Sequence, residues 1–358
     1  MDVLKPTLIN INGRIYRKNA VEMPQYRPDE DEDLFIADDD MYMDESCDVL
    51  PIEETSRGYR LAFEIPTAFF SFIIGKKGQT KQRIERETRT QIQIPKMGKD
   101  GDIVITGNER KRIVSAKTRI DVLIDSARQR QQFTHFLSVP LNSEQVKNGF
   151  EEFKLDVLRE CFGDRGLDET LFQNPVKLHL TIGTLVLLNT KEVSQAAEIL
   201  KQCEEEMIKP LLKSEPLLID VEGIEYMNDD PSEVDVVYAK VRSKDGSNKL
   251  QHIADNLVEK FGSSGLMQKD YDRVKLHCTV INTLFRKDPA AGGVRGSAER
   301  NREQRGIKER ESFDAKKILT VFENYKFGVH HISSIHISQR YSTSSDGYYA
   351  CSASISLP

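Results

Sequence analysis

Two of the seven histidines in the 358-residue sequence stand in nearly the same phrase: KLHLTIG at 177–183 and, 98 residues on from His179, KLHCTVI at 275–281. In a β-strand, residues i and i+2 share a face. Lys177, His179 and Thr181 then point one way, and Leu178, Leu180 and Ile182 the other. Lys275, His277 and Thr279 repeat this, backed by Leu276, Cys278 and Val280. The apolar face packs on helices. The opposite face offers a cation, an imidazole and a hydroxyl, twice, and core packing has no need of that set. Cleaving a phosphodiester near neutral pH does: a base activates the nucleophile and an acid protonates the leaving oxygen. Two imidazoles, one neutral and one protonated, supply both. The Thr181 and Thr279 hydroxyls can donate to the non-bridging oxygens. Lys177 and Lys275 lie on the same side as candidate phosphate contacts, although a solvated lysine at a strand edge is the simpler reading of each.

One His-x-Thr on its own usually marks a partly exposed histidine beside a β-favouring threonine. The matched second copy gives the pattern its weight, and it suggests an internal duplication with each half giving one imidazole to a shared cleft. The other histidines lack this setting. His135, His252, His330, His331 and His336 read as structural or surface residues. Five scattered cysteines without a C-x-x-C pair, and no carboxylate cluster of metal-binding character, lead us to expect reduced thiols, no metal and no cofactor.

A second constellation is IIGKKGQTKQRI at 73–84. Gly75 and Gly78 let the backbone approach a phosphate without a Cβ in the way. The helix that follows presents its first amides to the anion. Lys76 and Lys77 add charge there, with Lys81 and Arg83 a turn further on. A bare G-x-x-G mostly means a turn; the setting is what raises this one.

That setting is a run of short elements. A strand at 59–65 leads to an apolar helix at 67–74, the glycine turn, a helix at 79–88, a strand at 91–95, a loop, a strand at 102–107 and a helix at 109–128. From 133 a different order begins. Strands are expected at 134–141, 176–188, 217–227, 233–241, 274–285, 330–339 and 348–357, with helices at 143–162, 191–213, 247–262 and 314–325. Many strands follow each other without a crossover, which argues an α+β fold with antiparallel sheets. Residues 286–312, rich in Arg, Gly and Glu, read as a mobile loop. Ahead of all this, LINI and RIYRK flank Asn12-Gly13 as a short hairpin, and the rest of 1–55 reads as an acidic, largely flexible region.

Charge follows the same division. Residues 1–55 hold 5 Lys/Arg against 15 Asp/Glu, whereas residues 56–128 hold 16 against 8, so the net −6 of the whole chain conceals a basic module beside an acidic one. No apolar run approaches the length of a membrane span, and the N-terminus lacks the apolar core of a secretion signal.

Two resemblances rest on these residues. The paired His-x-Thr strands resemble the two-histidine (2H) phosphoesterase superfamily over roughly 130–358, a half that is also similar to the A-kinase anchor protein 7 type. The likeness implies a bilobal domain with antiparallel sheets around a central cleft. It implies metal-independent cleavage of RNA phosphodiesters or 2′,3′-cyclic phosphates, or the reverse ligation. His179 and His277 would be the acid and base, in either order, with Thr181 and Thr279 holding phosphate. The element order over 57–128 resembles a type I KH domain, which clamps about four nucleotides of single strand. Gly75, Lys76, Lys77 and Gly78 would then hold phosphates, and Ile74, Ile92 and Ile94 would line the base groove unless either of the last two is core. A KH fold that binds protein or merely adds structure is the plainer alternative.

The expected layout is therefore an acidic region at 1–55, a KH domain at 56–128 and a phosphoesterase-like domain at 129–358. With FTHFLSVPL, GIEYMNDDP, KDGSN and NTLFRKDP in sequence, the whole chain resembles a family of nuclear cointegrator-complex subunits. That implies a location in the nucleus, with the cytoplasm as a second compartment left open, single-stranded RNA or DNA as ligand, and a helicase and other subunits of a cointegrator complex as partners in transcription and alkylation-damage repair. Two readings stay open: an enzyme fed RNA by its KH module, and a catalytically weak scaffold subunit.

Overall fold

A computed structural model of the chain describes residues 7–11, 14–18, 50–96, 101–227, 229–267, 273–286 and 310–358. The acidic run before residue 50, the Asn12-Gly13 turn and most of the 286–312 loop lie outside the described residues. The chain divides into two compact units, Met1–Arg128 and Gln129–Pro358.

In the first unit, β1 (Thr7–Ile11) and β2 (Arg14–Lys18) pair antiparallel, with Ile11 opposite Arg14. A four-stranded antiparallel sheet follows in the order β3-β4-β6-β5, made of β3 (Glu53–Thr55), β4 (Gly58–Phe63), β5 (Gln91–Gln93) and β6 (Ile103–Gly107). The helices are α1 (Phe70–Ile74), entered through a 3₁₀ turn at Thr67–Phe69, then α2 (Gln79–Thr88) and α3 (Arg110–Gln129). From β4 onward the order βααββα is that of a type I KH domain. Leu61, Ile73, Ile84, Ile92, Ile105 and Ile113 are among its core residues.

The structured part starts earlier than the sequence suggests. Residues 53–55, expected within the flexible acidic region, form an edge strand, and Leu50 and Ile52 pack against the core. The two aliphatic side chains anchor the segment. The glutamates are tolerated because an edge strand leaves them in water, where Glu53 meets Arg60 at 3.0 Å.

The second unit is one eight-stranded antiparallel sheet, ordered β12-β9-β10-β11-β8-β7-β13-β14. Its strands are β7 (His135–Pro140), β8 (His179–Leu185), β9 (Leu217–Tyr226), β10 (Val236–Ser243), β11 (His277–Asn282), β12 (Lys326–Ile332), β13 (Ser334–Thr343) and β14 (Tyr349–Ser356). The helices are α4 (Glu144–Glu160), α5 (Thr190–Cys203), α6 (Lys209–Leu212), α7 (Lys249–Ser263) and α8 (Lys316–Val321). Four strands form each lobe, β12-β9-β10-β11 and β8-β7-β13-β14. The lobes meet where β11 and β8 share one pair, Cys278 opposite Leu180. The two inner strands of the sheet are therefore those that begin with His179 and His277.

α4 buries Val146, Phe150, Phe153 and Val157, and α7 buries Ile253, Leu257 and Phe261. Both rows recur at helical spacing and join one core with the apolar side of the sheet. The stretch 330–339, expected as one strand, is two. The strand is interrupted at Ser333, and β12 pairs with β9 in one lobe while β13 pairs with β7 and β14 in the other. Burial of Ile332 and then of Ile335 and Ile337 records a one-residue slip in the alternation, which in a strand exchanges the two faces.

Candidate functional site: two imidazoles at the lobe seam

Leu180, Ile182, Cys278 and Val280 all enter the core, so the predicted apolar faces of β8 and β11 are the observed ones. The pairing of Leu180 with Cys278 fixes what stands on the other side. Continued by one residue in each direction, the antiparallel register sets His179 beside Thr279 and Thr181 beside His277. Two residues from each motif, 98 positions apart in the sequence, thus come together across the seam on one face.

Each imidazole is held the same way. His179 Nδ1–H donates to the Lys177 carbonyl at 2.7 Å, and His277 Nδ1–H to the Lys275 carbonyl at 2.6 Å. A carbonyl only accepts, so these bonds fix the tautomer and leave Nε2 as the nitrogen available for chemistry. The surroundings differ. His179 is 5% exposed, packed against Phe136 at 5.2 Å and Tyr349 at 5.4 Å between ring centroids. His277 is half-buried and meets Tyr238 at 5.1 Å. Thr181 is half-buried and Thr279 is buried. The approach to the site is therefore from the His277–Thr181 side.

Electrostatics follow burial. Desolvation drives the His179 imidazole down to about 4; the Lys177 carbonyl opposes the shift, and charge on His277 adds to it. His277 is lowered too, first by burial, with the Lys275 carbonyl opposing and the Lys275 ammonium contributing. Both shifts favour the neutral ring, and His179 also lies in the field of His277. An anion between them favours protonation of either ring.

The lysines depart from the strand reading. Both strands begin at the histidine, and Lys177 lies in a 3₁₀ turn at Pro175–Lys177 that Asn174 caps by accepting from Val176 N at 2.9 Å. Alternation therefore does not set their direction. Their ammonium groups rest over aromatic rings, Lys177 over Tyr349 and Lys275 over Tyr238. Tyr238, Tyr349 and Phe136 are the site neighbours that sequence reasoning missed. Tyr238 lies in an expected strand, 233–241, but nothing local marks it or the other two as site residues.

The remaining histidines have other places. His252 is exposed on α7. His135 bonds Thr134 Oγ1 at 2.9 Å, His331 the Pro358 carbonyl at 2.7 Å, and His336 Ser334 Oγ at 2.9 Å. His330 is buried in β12.

In the KH unit, Gly75 (φ 70°, ψ 179°) ends α1, and Gly78 (φ 82°, ψ 8°) opens α2 in the left-handed region. No side chain caps the first turn of α2, leaving its amides turned toward the loop. Lys76 and Lys77 are exposed, and Lys77 itself is left-handed at φ 52°. Lys81 and Arg83 are half-buried, and Lys81 pairs with Glu85 at 3.2 Å, which offsets its charge locally. Ile74 and Ile94 are half-buried at the margin of the core. Ile92 is not a groove residue: at 1% exposure it belongs to the core, because the middle residue of the short strand β5 faces the helices while Gln91 and Gln93 face water.

Comparison with known proteins agrees with this division. Residues 133–357 match the family described as AKAP7 2′5′ RNA ligase-like domain, and residues 60–121 match the KH domain. Over 350 residues the chain is 51% identical to activating signal cointegrator 1 complex subunit 1 of Mus musculus, covering 98% of both chains. An uncharacterized protein of Schizosaccharomyces pombe is 26% identical over 152 residues, 42% of this chain and 67% of that one. Among solved structures, a Thermus thermophilus protein aligns with 63% of this chain and 97% of its own at 15% identity and a TM-score of 0.36. Kluyveromyces marxianus Usb1 with uridine monophosphate aligns over 65% and 99% at 14% identity and a TM-score of 0.31.

Proposed function

Because the chain belongs to the AKAP7 2′5′ RNA ligase-like domain family and has a KH domain ahead of that domain, we propose that it is an RNA-binding subunit of a nuclear cointegrator complex that cleaves RNA phosphodiesters with its two imidazoles. The observation that supports this most is the seam register, which brings His179, Thr181, His277 and Thr279 onto one face with both Nδ1 atoms tied to backbone. His179, the more buried ring, stays neutral and serves as base, its Nε2 taking the proton from the attacking hydroxyl or water. His277, nearer to solvent, takes a proton more readily and passes it from Nε2 to the leaving oxygen. Thr181 and Thr279 hold the non-bridging oxygens meanwhile.

The substrates this fits are 2′,3′-cyclic phosphates and phosphodiesters near an RNA end. The test is incubation of the whole protein with short RNA bearing a terminal cyclic phosphate, and with its open counterpart, in EDTA. Product formation above that of a doubly histidine-substituted protein is expected. Its absence would favour a second reading, for which the 5% exposure of His179 speaks: a cleft that binds phosphate with little turnover. In that case the chain serves as a scaffold subunit, engaging a helicase complex in transcription and repair of alkylation damage.

The KH unit captures the strand. Gly75, Lys76, Lys77 and Gly78 meet phosphates, and Ile74 and Ile94 lie along the bases. Replacing both lysines, Lys76→Ala with Lys77→Ala, removes two counterion-releasing contacts. The slope of log K against log salt should flatten by about 1.4, at about 0.7 per phosphate contact for single strands. Fluorescence anisotropy with matched RNA and DNA oligonucleotides over a salt series measures this. An unchanged slope would exclude the loop as a phosphate site.

A further inference from the structure

Lys275 Nζ lies 4.7 Å from the centroid of the Tyr238 ring, and the same ring meets the His277 imidazole at 64° with centroids 5.1 Å apart. Across the seam, Lys177 Nζ lies 4.9 Å from the Tyr349 centroid, and that ring meets His179 at 84° and 5.4 Å. Each half of the site therefore gathers a lysine and a histidine around one tyrosine ring. We propose that Tyr238 and Tyr349 are positioning residues of the phosphoester site, each holding one lysine ammonium and one imidazole against the same ring, and that on the His277 side this keeps a cation within reach of the reacting imidazole. The proposal rests on the phosphoesterase reading above.

The origin of the two rings is the strongest argument. Tyr238 sits on β10, directly opposite Thr279 on the neighbouring strand. If both triads were simple products of a duplicated unit, the other ring would come from β7, opposite Thr181. The residue there is Ser138, too small for the task. Its place is taken by Tyr349 at the start of β14, the edge strand, with β13 and β7 lying between it and β8. The same arrangement of three side chains is thus reached from non-equivalent strands. Packing inherited with a repeat does not require that; a shared chemical task does.

Both rings are themselves held. Each is 1% exposed. The Tyr238 hydroxyl donates to the Glu225 carboxylate across the β9–β10 pair. Tyr349 stands nearly perpendicular to Phe136 at 5.0 Å and to Tyr348 at 5.3 Å. A fixed ring face attracts an ammonium weakly enough for a phosphate oxygen to draw it away, yet orients a long and flexible side chain beforehand. Lys177 gains a second guide, donating to Thr343 Oγ1 at 3.2 Å. An ammonium kept beside an imidazole also makes the protonated ring a stronger acid, which suits the leaving-group side of the reaction.

The test uses the full-length protein and follows the ring signals of His179 and His277 by NMR titration, together with pH-dependent kcat/KM on RNA ending in a 2′,3′-cyclic phosphate. In Tyr238→Leu the ring is gone and Lys275 is released. The His277 titration should move up by roughly half a unit or more while that of His179 stays in place. kcat/KM should fall on the order of tenfold, with its alkaline limb displaced upward. Tyr349→Leu should shift His179 and spare His277. Tyr238→Phe, which keeps the ring, should keep the His277 titration. Lys275→Met, at an exposed side chain, should reproduce the upward shift with the ring in place, and it serves if the leucine variants do not fold.

Loss of the ring relieves burial in either case, so Lys275→Met decides: should it leave His277 where it was while Tyr238→Leu raises it, or should both imidazoles move equally in every variant, the rings are packing alone and the proposal fails. The titration needs no substrate. It therefore reads the positioning role even in a protein that turns nothing over, and its failure is distinct from failure of the phosphoesterase reading.

Discussion

His179→Asn and His277→Asn are each expected to remove most of the proposed phosphodiester cleavage, with the double variant no worse than either single one. General acid–base groups contribute about 10²–10⁴-fold apiece when measured alone. A base and an acid that act in one step form a unit, however, and removing either leaves the other with nothing to do. Asparagine is the informative replacement because its amide can still donate to the Lys177 or Lys275 carbonyl, the bond that each imidazole Nδ1–H makes. Loss of activity then reports loss of Nε2 rather than collapse of the strand ends. Full additivity of the two substitutions would mean that the rings do not cooperate, and the acid–base pair would be the wrong description.

The pH dependence carries a sign that separates the two roles. With His179 as the proposed base, which must be neutral, kcat/KM should fall on the acid side only as pH drops toward about 4, where burial has pushed its titration. With His277 as the proposed acid, which must be protonated, kcat/KM should also fall as pH rises through that ring's own lowered value. The free-protein profile is thus displaced to the acid side of one built from ordinary imidazoles. The kcat profile lies higher, because a bound phosphate favours the protonated form of both rings. Stability moves on the same axis. An imidazole whose folded pKa lies below its unfolded value near 6.5 contributes stability that is complete above 6.5 and lost as pH falls toward 4. His330, likewise lowered to about 4 by burial, acts in the same window. His179→Asn should therefore make denaturant midpoints less dependent on pH in that range, an effect seen without any substrate.

Periodicity made the inner strands legible. K-L-H-x-T sorts its residues onto two faces by alternation alone, and from each histidine onward both faces are as the pattern implies. The seam register is a different matter. Which residue of one motif meets which of the other depends on a single pair, Leu180 with Cys278, and no local signal fixes that. The lysines show where alternation stops. Pro175 and Asn174 build a turn up to Lys177, so the strand starts later than the apolar run. Tyr349 lay beyond reach because it arrives from the far edge of the sheet. In the KH unit the glycine turn was explicit, but Ile92 needed the direction of a three-residue strand, which QIQI specifies only as one of two choices. The edge strand at 53–55 was masked by its own glutamates, since acidic composition reads as solvent whether the backbone is paired or not.

Gly75→Ala should weaken single-strand RNA binding by at least tenfold without altering a single charge, and the reason is backbone geometry. At φ 70° and ψ 179° Gly75 occupies a region that is essentially closed to residues with a Cβ, at a cost of order 1–3 kcal/mol. The space is closed as well. A Cβ there would lie 2.7 Å from Thr80 Cβ and 3.0 Å from Thr80 N, and closer still to Thr80 Oγ1. The first turn of α2, whose amides are proposed to meet the phosphate, must move to admit it. Gly78 makes the control. Its φ of 82° and ψ of 8° are left-handed, a conformation aspartate tolerates better than most residues, and a Cβ would approach nothing nearer than Gln82 Nε2 at 3.9 Å. Gly78→Asp should therefore keep the loop and lose affinity through repulsion of the phosphate, a loss that shrinks at high salt. The loss in Gly75→Ala should persist at every salt concentration, accompanied by a lower unfolding midpoint. Equal salt dependence in the two variants, measured by anisotropy on one RNA, would mean that the loop contributes charge alone and that its shape is incidental.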